Sequence, residues 1–112
     1  MSPEEIVKTV FQRVRTRDRS LSELFAADAT LVAPGNRLEG REAIADFYEG
    51  VFRADRVVPE IEELFVSPPV VAALLRVTIS DTEVLRVLDV FEIEDDTIRS
   101  MRVCSAMTSN RS

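Results

Sequence analysis

The spacing of hydrophobic residues predicts helices in the first half of the chain. Ser2, Pro3 and Glu5 are typical of a helix start, with Ser2 as the N-cap, Pro3 at the first helical position and Glu5 closing a capping box. Apolar residues then recur at helical spacing on one face: Ile6, Val7, Val10, Phe11 and Val14. A second capping box at Ser20–Glu23 predicts a short helix, and a third helix is expected from Arg41 to about Phe52.

From Val57 onward the hydrophobic period changes to two, which predicts strands. Including one short strand before the third helix, the predicted strands are Ala29–Val32, Pro59–Val66, Val70–Ile79, Val84–Ile93 and Ile98–Ala106. Helices followed by an antiparallel meander are typical of the α+β class. We expect one domain over residues 1–107 and a polar, frayed tail over residues 108–112.

Asp89 is the one polar residue on an otherwise apolar strand face. Side chains alternate along a strand, so Asp89 shares its face with Val87, Phe91 and Ile93. A carboxylate in such a place must find a hydrogen-bond donor, shift its pKa or face a wet cavity. By topology, the nearest plausible donors are Tyr48 and Asn36.

The expected register surrounds this carboxylate with apolar neighbours. If one hairpin folds about Thr82, Leu75 lies beside Asp89; if the next folds about Asp96, Val103 lies on the other side. No cross-strand lysine or arginine would then pair with Asp89.

The opposite face of the same strands is also apolar. Its members are Val70, Ala72, Leu74, Leu88 and Val90. A second apolar face needs its own cover, and a second copy of the chain packed sheet against sheet is the simplest one. The sequence therefore predicts a homodimer.

Composition narrows the chemistry. The chain has 112 residues, 46% of them hydrophobic, and a formal net charge of −6, which disfavours nucleic acid and anionic membranes as partners. It has no histidine and one cysteine, Cys104, so a zinc or transition-metal site is not expected and histidine-based nucleophilic catalysis is excluded. No membrane span or signal peptide is recognised, and we expect a cytoplasmic protein.

Several segments, in the right order along nearly the whole chain, resemble one superfamily. They are Leu24–Thr30, Pro34-Gly35, Gly40–Tyr48, Leu75–Val77, Val87–Phe91 and Ile98–Met101. The chain resembles the nuclear-transport-factor-2-like superfamily, in particular its ketosteroid isomerase and SnoaL-like polyketide cyclase branch. The resemblance implies three helices on the concave face of a curved sheet, a pocket between them, dimers through the convex face and no cofactor.

The resemblance also implies roles for individual residues. The general base of the isomerases falls at Ala33, and their oxyanion-hole tyrosine falls near Val10, so both groups are absent here. Their second oxyanion donor, a protonated aspartate in an apolar site, aligns with Asp89, and Tyr48 matches a pocket tyrosine. The implied catalytic candidates are therefore Asp89 and Tyr48.

Two functions follow from this alignment. The first is a cofactor-independent isomerase, cyclase or dehydratase that uses Asp89 as acid/base on a hydrophobic carbonyl substrate, and the second is a non-catalytic module that binds a hydrophobic ligand or dimerises. The unpaired Asp89 favours the first, and the missing carboxylate at Ala33 and the absence of histidine favour the second. The pocket is expected to be lined by Val10, Phe25, Ala33, Phe47, Leu75, Val77, Val87, Phe91, Met101 and Val103.

Overall fold

The computed structural model of the chain describes residues 1–53, 58–104 and 107–109. Within these residues the elements are α1 (Pro3–Thr16), a 3₁₀ helix (Arg19–Leu24), β1 (Phe25–Ala33), β2 (Asn36–Glu39), α2 (Arg41–Arg53), β3 (Val58–Ser67), β4 (Val70–Ser80), β5 (Glu83–Glu94), β6 (Thr97–Val103) and β7 (Met107–Ser109). The predicted α+β class is confirmed, and α1, α2 and the four long strands lie where the hydrophobic period predicts them.

Helix α1 begins with the predicted capping box. The Ser2 hydroxyl accepts from the Glu5 backbone N–H at 3.2 Å, and the Glu5 carboxylate accepts from the Ser2 N–H at 2.9 Å. The helix ends at Arg17, whose left-handed backbone (φ 55°) donates its N–H to the carbonyls of Arg13 and Val14. All five residues of the predicted apolar face are buried.

The second helix differs from the prediction. It is a 3₁₀ helix whose N-cap is Asp18. The Asp18 carboxylate accepts from the Ser20 backbone N–H at 3.0 Å and from the Ser20 hydroxyl at 2.7 Å. The predicted cap at Ser20 is therefore wrong, because Asp18 already binds both donor groups of Ser20 and starts the helix earlier. The helix still buries Leu21 and Leu24.

In the described residues the strands form one sheet in the order β2-β1-β6-β5-β4-β3, with β7 beside β5. Every pair is antiparallel except β1 with β6, which is parallel. Pro59 lies near the start of the edge strand β3, as its missing N–H requires. Strand β2 was not predicted, since its four residues include one apolar side chain; it pairs with β1 across a turn in which Gly35 has a φ of 74°.

The register places Ala73 and Val103 beside Asp89. Val103 is as predicted, but the predicted neighbour Leu75 is wrong, because it pairs with Val87. Two shifts of one residue each cause this difference. The turn pairs Ser80 with Glu83, where a hairpin folded about Thr82 would pair it with Val84, and a register shift between Thr78 and Ser80 adds the second residue. The displacement amounts to two residues, so Leu75 and Asp89 keep the same face of the sheet.

The end of the chain also differs from the prediction. Strand β6 ends at Val103, and the predicted end at Ala106 lies outside the described residues. Strand β7 pairs with residues 84–86 of β5, so the expected frayed tail from Thr108 begins inside a strand. Residues 110–112 of that tail also lie outside the described residues.

The helices cover one face of the sheet, which we call the helix-covered face. Helix α1 contacts β3 and β4, and α2 contacts β1, β2 and the 3₁₀ helix. The other side, the open face, carries apolar residues without a cover from the described chain: Phe65, Val70, Ala72, Leu74, Leu88 and Val90. No helix formed by the described residues is long and apolar enough to cross a membrane.

Candidate functional site

A cavity of about 120 Å³ lies between the two α-helices and the helix-covered face of the sheet. Helices α1 and α2 and strands β3 to β6 all contribute to it, and its lining is Phe11, Val14, Phe47, Tyr48, Val51, Pro59, Leu75, Val77, Val87, Asp89, Met101 and Val103. The polar groups of this lining are the Asp89 carboxyl group, the Tyr48 hydroxyl and the Met101 sulfur. The rest of the lining is hydrocarbon.

Asp89 is the polar centre of this cavity. The residue is 4% exposed, and its Oδ1 atom is buried without a hydrogen-bond partner among the described residues. Burial removes the water that would stabilise a carboxylate, and this desolvation raises the pKa of Asp89 to about 7. Asp89 can therefore exchange a proton near neutral pH, as an acid/base group must.

Tyr48 lines the same cavity but does not hydrogen-bond to Asp89. Its hydroxyl lies 3.3 Å from Met101 Sδ. A thioether sulfur has no proton, so Tyr48 is the donor of this bond. Burial and the negative charge of Asp89 raise the pKa of Tyr48, which keeps its hydroxyl protonated. The other predicted donor, Asn36, is exposed on β2 and does not line the cavity.

The structure brings together most of the predicted lining. Phe47, Leu75, Val77, Val87, Met101 and Val103 border the cavity beside Asp89 and Tyr48. Val10, Phe25 and Phe91 do not: they are fully buried among core residues. Ala33 ends β1 opposite Asn36 and does not border the cavity either. The alternation of a strand predicts which face a side chain occupies, and the packing of the helices decides whether it meets a cavity or the core.

The sequence reasoning missed four lining residues. Phe11 and Val14 belong to the predicted apolar face of α1, and Val51 continues the stripe of α2. Pro59 lies near the start of β3 and borders the cavity. In the sequence it predicted the start or the edge of a strand, and nothing about it indicated a pocket. Helical spacing was the only clue to the first three, and it does not separate cavity lining from core.

Other charged groups of the described chain do not form a comparable site. A larger cleft of about 510 Å³ is lined by Asp28, Glu92, Glu94 and Arg99, but Arg99 already pairs with Glu94 at 2.7 Å. Arg86 pairs with Glu62 at 3.0 Å. No group of three or more acidic or sulfur ligands in the described residues is arranged to hold a metal ion. The Asp89 cavity is smaller, but its lining includes Asp89, the residue with the unpaired buried polar atom, so it is the candidate site.

Comparisons with known proteins give the family. Residues 7–101 match the sequence model of the SnoaL-like domain. A candidate polyketide cyclase from Sinorhizobium meliloti is 25% identical over 89% of this chain and 94% of that one, with a TM-score of 0.81. No curated protein matches the chain.

Two further solved structures share the fold at lower identity. A candidate ketosteroid isomerase from Kribbella flavida is 18% identical over 90% of this chain and 75% of that one, with a TM-score of 0.78. A protein with a ketosteroid isomerase-like fold from Catenulispora acidiphila, in complex with trimethylamine, is 21% identical over 90% of this chain and 85% of that one, with a TM-score of 0.76. The family match spans most of the chain, and the curved sheet with its helices agrees with these structures, so the chain belongs to the SnoaL-like domain family and has the ketosteroid isomerase-like cone fold.

Proposed function

We propose that the protein binds a small hydrophobic carbonyl compound and that Asp89 transfers a proton to or from it, without a cofactor. The observation that carries this proposal is the buried carboxyl group of Asp89 in the wall of an apolar cavity, with no hydrogen-bond partner for its Oδ1 atom among the described residues. A buried polar atom without a partner is rare in folded proteins, and a ligand atom would supply the missing hydrogen bond.

The proposed chemistry is an enolisation. Ionised Asp89 accepts a proton from the carbon next to the carbonyl, the C–H electron pair forms the enolate, and protonated Asp89 then returns the proton to carbon or oxygen. Because the pKa of Asp89 is about 7, both forms of the carboxyl group exist near neutral pH. The Tyr48 hydroxyl, which stays protonated, would donate to the carbonyl oxygen in place of Met101 Sδ.

The cavity limits the size of the substrate. An engineered cavity of about 150 Å³ in another protein holds one benzene molecule, and the Asp89 cavity is about 120 Å³. The cavity is therefore close in volume to one small ring, and it is too small to enclose a whole steroid.

Deuterium exchange into a small ketone tests this proposal without knowledge of the natural substrate. We expect the protein to accelerate the exchange of the α-protons of cyclohexanone in D₂O, followed by ¹H NMR. Asp89→Asn should reduce the acceleration by about 10²–10⁴-fold, the usual contribution of a general acid/base. Asp28→Asn, the same change at an exposed carboxylate of β1, is the matched control and should exchange like the wild type. Equal rates for wild type and Asp89→Asn would contradict the proposal.

The alternative function is binding without catalysis. Among the described residues that line the cavity, Asp89 and Tyr48 are the only titratable groups, and no second carboxylate is present to share the proton transfers. If the ketone binds to the wild type but exchanges no faster than in buffer, the cavity is a binding site.

A further inference from the structure

The cavity around Asp89 offers hydrogen-bond acceptors and aromatic rings, and none of the described residues that line it carries a positive charge. We propose that it binds small hydrophobic amines in their ammonium form. This inference rests on the proposed function only in requiring that the cavity admits small molecules, and it names a second ligand class for the same site.

The polar atoms of the cavity can accept hydrogen bonds but have little to donate. Asp89 Oδ1 has no partner among the described residues. The Tyr48 proton is directed at Met101 Sδ, so the phenolic oxygen keeps free lone pairs. None of the described lining residues is lysine, arginine, histidine, asparagine, glutamine or tryptophan. An ammonium group carries up to three donors and would supply the hydrogen bonds that ionised Asp89 lacks.

Aromatic rings make a cationic donor more favourable than a neutral one. Phe11, Phe47 and Tyr48 all line the cavity. Phe47 and Tyr48 stand edge to face, with centroids 5.2 Å apart and an interplanar angle of 82°. The electron-rich face of such rings attracts an ammonium group that lies within about 6 Å of the ring centre. The chain also has a formal charge of −6, so its overall field favours cations.

An ammonium ion would compensate the negative charge of ionised Asp89. An ionised carboxylate in an apolar cavity is unstable until a positive charge or a set of donors compensates it. Among the described residues that line the cavity, none is cationic, and Tyr48 on α2 is the titratable neighbour. The other elements contribute apolar or thioether side chains: Phe11 and Val14 from α1, Pro59 from β3, Leu75 and Val77 from β4, Val87 from β5, and Met101 and Val103 from β6. An alkyl ammonium group brings the missing charge together with a hydrocarbon body for the apolar walls.

The cavity volume of about 120 Å³ suits a test with one small ring that carries the amine directly. Cyclohexylamine and cyclohexanone share that ring and differ in the polar group, so they separate the amine inference from the proposed carbonyl chemistry. The ammonium ion requires ionised Asp89, whereas the ketone accepts a hydrogen bond from protonated Asp89.

Titration of both probes by calorimetry or ¹⁵N-edited NMR at pH 8.5 and pH 5.5 tests the inference. Cyclohexylamine should bind about thirtyfold more weakly at pH 5.5, because the ionised fraction of a carboxyl group with a pKa of about 7 falls by that factor. Cyclohexanone should bind at least as well at pH 5.5 as at pH 8.5. Asp89→Asn should bind the amine at least tenfold more weakly than wild type at pH 8.5 and retain the ketone. In Phe47→Leu, which keeps the wall apolar without a ring, amine affinity should fall more than ketone affinity.

Three outcomes would overturn the inference. Amine binding that is unchanged in Asp89→Asn, or equal at both pH values, would show that the carboxylate is not the ammonium partner. Ketone binding without amine binding would reject the inference and leave the proposed function standing. Binding of neither probe would reject both. A ¹H–¹⁵N spectrum of each variant, compared with wild type, shows whether the fold is intact.

Discussion

At the residue scale, Asp89 is a carboxyl group held where its charged form is disfavoured. Desolvation raises its pKa from 3.8 to about 7, and no cation of the described chain opposes the shift. The folded protein therefore binds a proton to Asp89 more tightly than the unfolded chain does. The contribution of Asp89 to stability is fully present below the unfolded pKa and is lost as the pH rises through about 7.

Asp89→Asn should be more stable than wild type at pH 8, because asparagine cannot ionise. The rise of the Asp89 pKa from 3.8 to about 7 corresponds to roughly 4 kcal/mol, which is an upper limit because the buried amide of the variant also needs hydrogen-bond partners. The gain should shrink as the pH falls from 8 to 5. Urea melts of both proteins across this range give the difference, and carboxyl-carbon NMR gives the pKa directly. A pKa below that of free aspartate would contradict the acid/base role.

Tyr48→Phe should leave the pKa of Asp89 raised, because the hydroxyl donates to Met101 Sδ and not to the carboxylate. The free energy of unfolding should fall by less than about 1 kcal/mol, since sulfur is a weak acceptor. The same NMR titration and urea melts check both statements. A clear rise of the Asp89 pKa in Tyr48→Phe would show that the hydroxyl stabilises the carboxylate in solution.

At the scale of the elements, local capping signals decide where α1 starts but mislead at the 3₁₀ helix. Ser2 caps α1, whereas Ser20 follows the true cap Asp18 and donates its own hydroxyl to that carboxylate. Two serines that look equivalent in the sequence therefore have different roles.

This difference predicts unequal effects for the same substitution. Ser2→Ala removes the acceptor of the Glu5 N–H and should cost about 0.5–2 kcal/mol of stability. Ser20→Ala should cost less, because Asp18 still accepts from the backbone N–H of residue 20. Thermal or urea melts of the two variants against wild type provide the comparison. A larger loss in Ser20→Ala would mean that this serine anchors the 3₁₀ helix.

At the scale of the whole molecule, the open face of the sheet exposes apolar side chains to water. Phe65 is 51% exposed and Val70 is 37% exposed, and the register places them beside the half-buried Ala72, Leu74 and Val90. Monomeric proteins rarely leave a contiguous apolar surface of this kind in water. We propose that a second copy of the chain covers it and that the protein is a homodimer.

Light scattering of the wild type should therefore give twice the chain mass of 12.6 kDa. A variant with both Leu88→Lys and Val90→Lys should give monomers or insoluble protein, because like charges would meet across the interface. Gln12→Lys, at an exposed position of α1, is the control and should remain a dimer. A wild type that stays monomeric at high concentration would remove the dimer proposal.

Much of the fold and the identity of the polar residue in the site could be predicted from the sequence. Alternation along a strand and helical spacing are local properties, because each backbone conformation sets the direction of its own side chains. They sufficed to place Asp89 on an apolar face, to predict the buried face of α1 and to separate the helical half from the stranded half. Asp89 lies on the predicted face of the sheet although the predicted β4–β5 pairing is wrong, because a register shift of two residues leaves each side chain on the same face.

Only the tertiary structure decided what Asp89 meets. The β4–β5 turn and the register shift next to it together place Ala73 beside Asp89 in place of Leu75. The packing of the helices against the sheet places Phe11 at the cavity and Phe25 in the core. The Tyr48 proton goes to a sulfur on β6. These contacts depend on distances between elements far apart in sequence, and local patterns carry the direction of a side chain but not its distance from the next element.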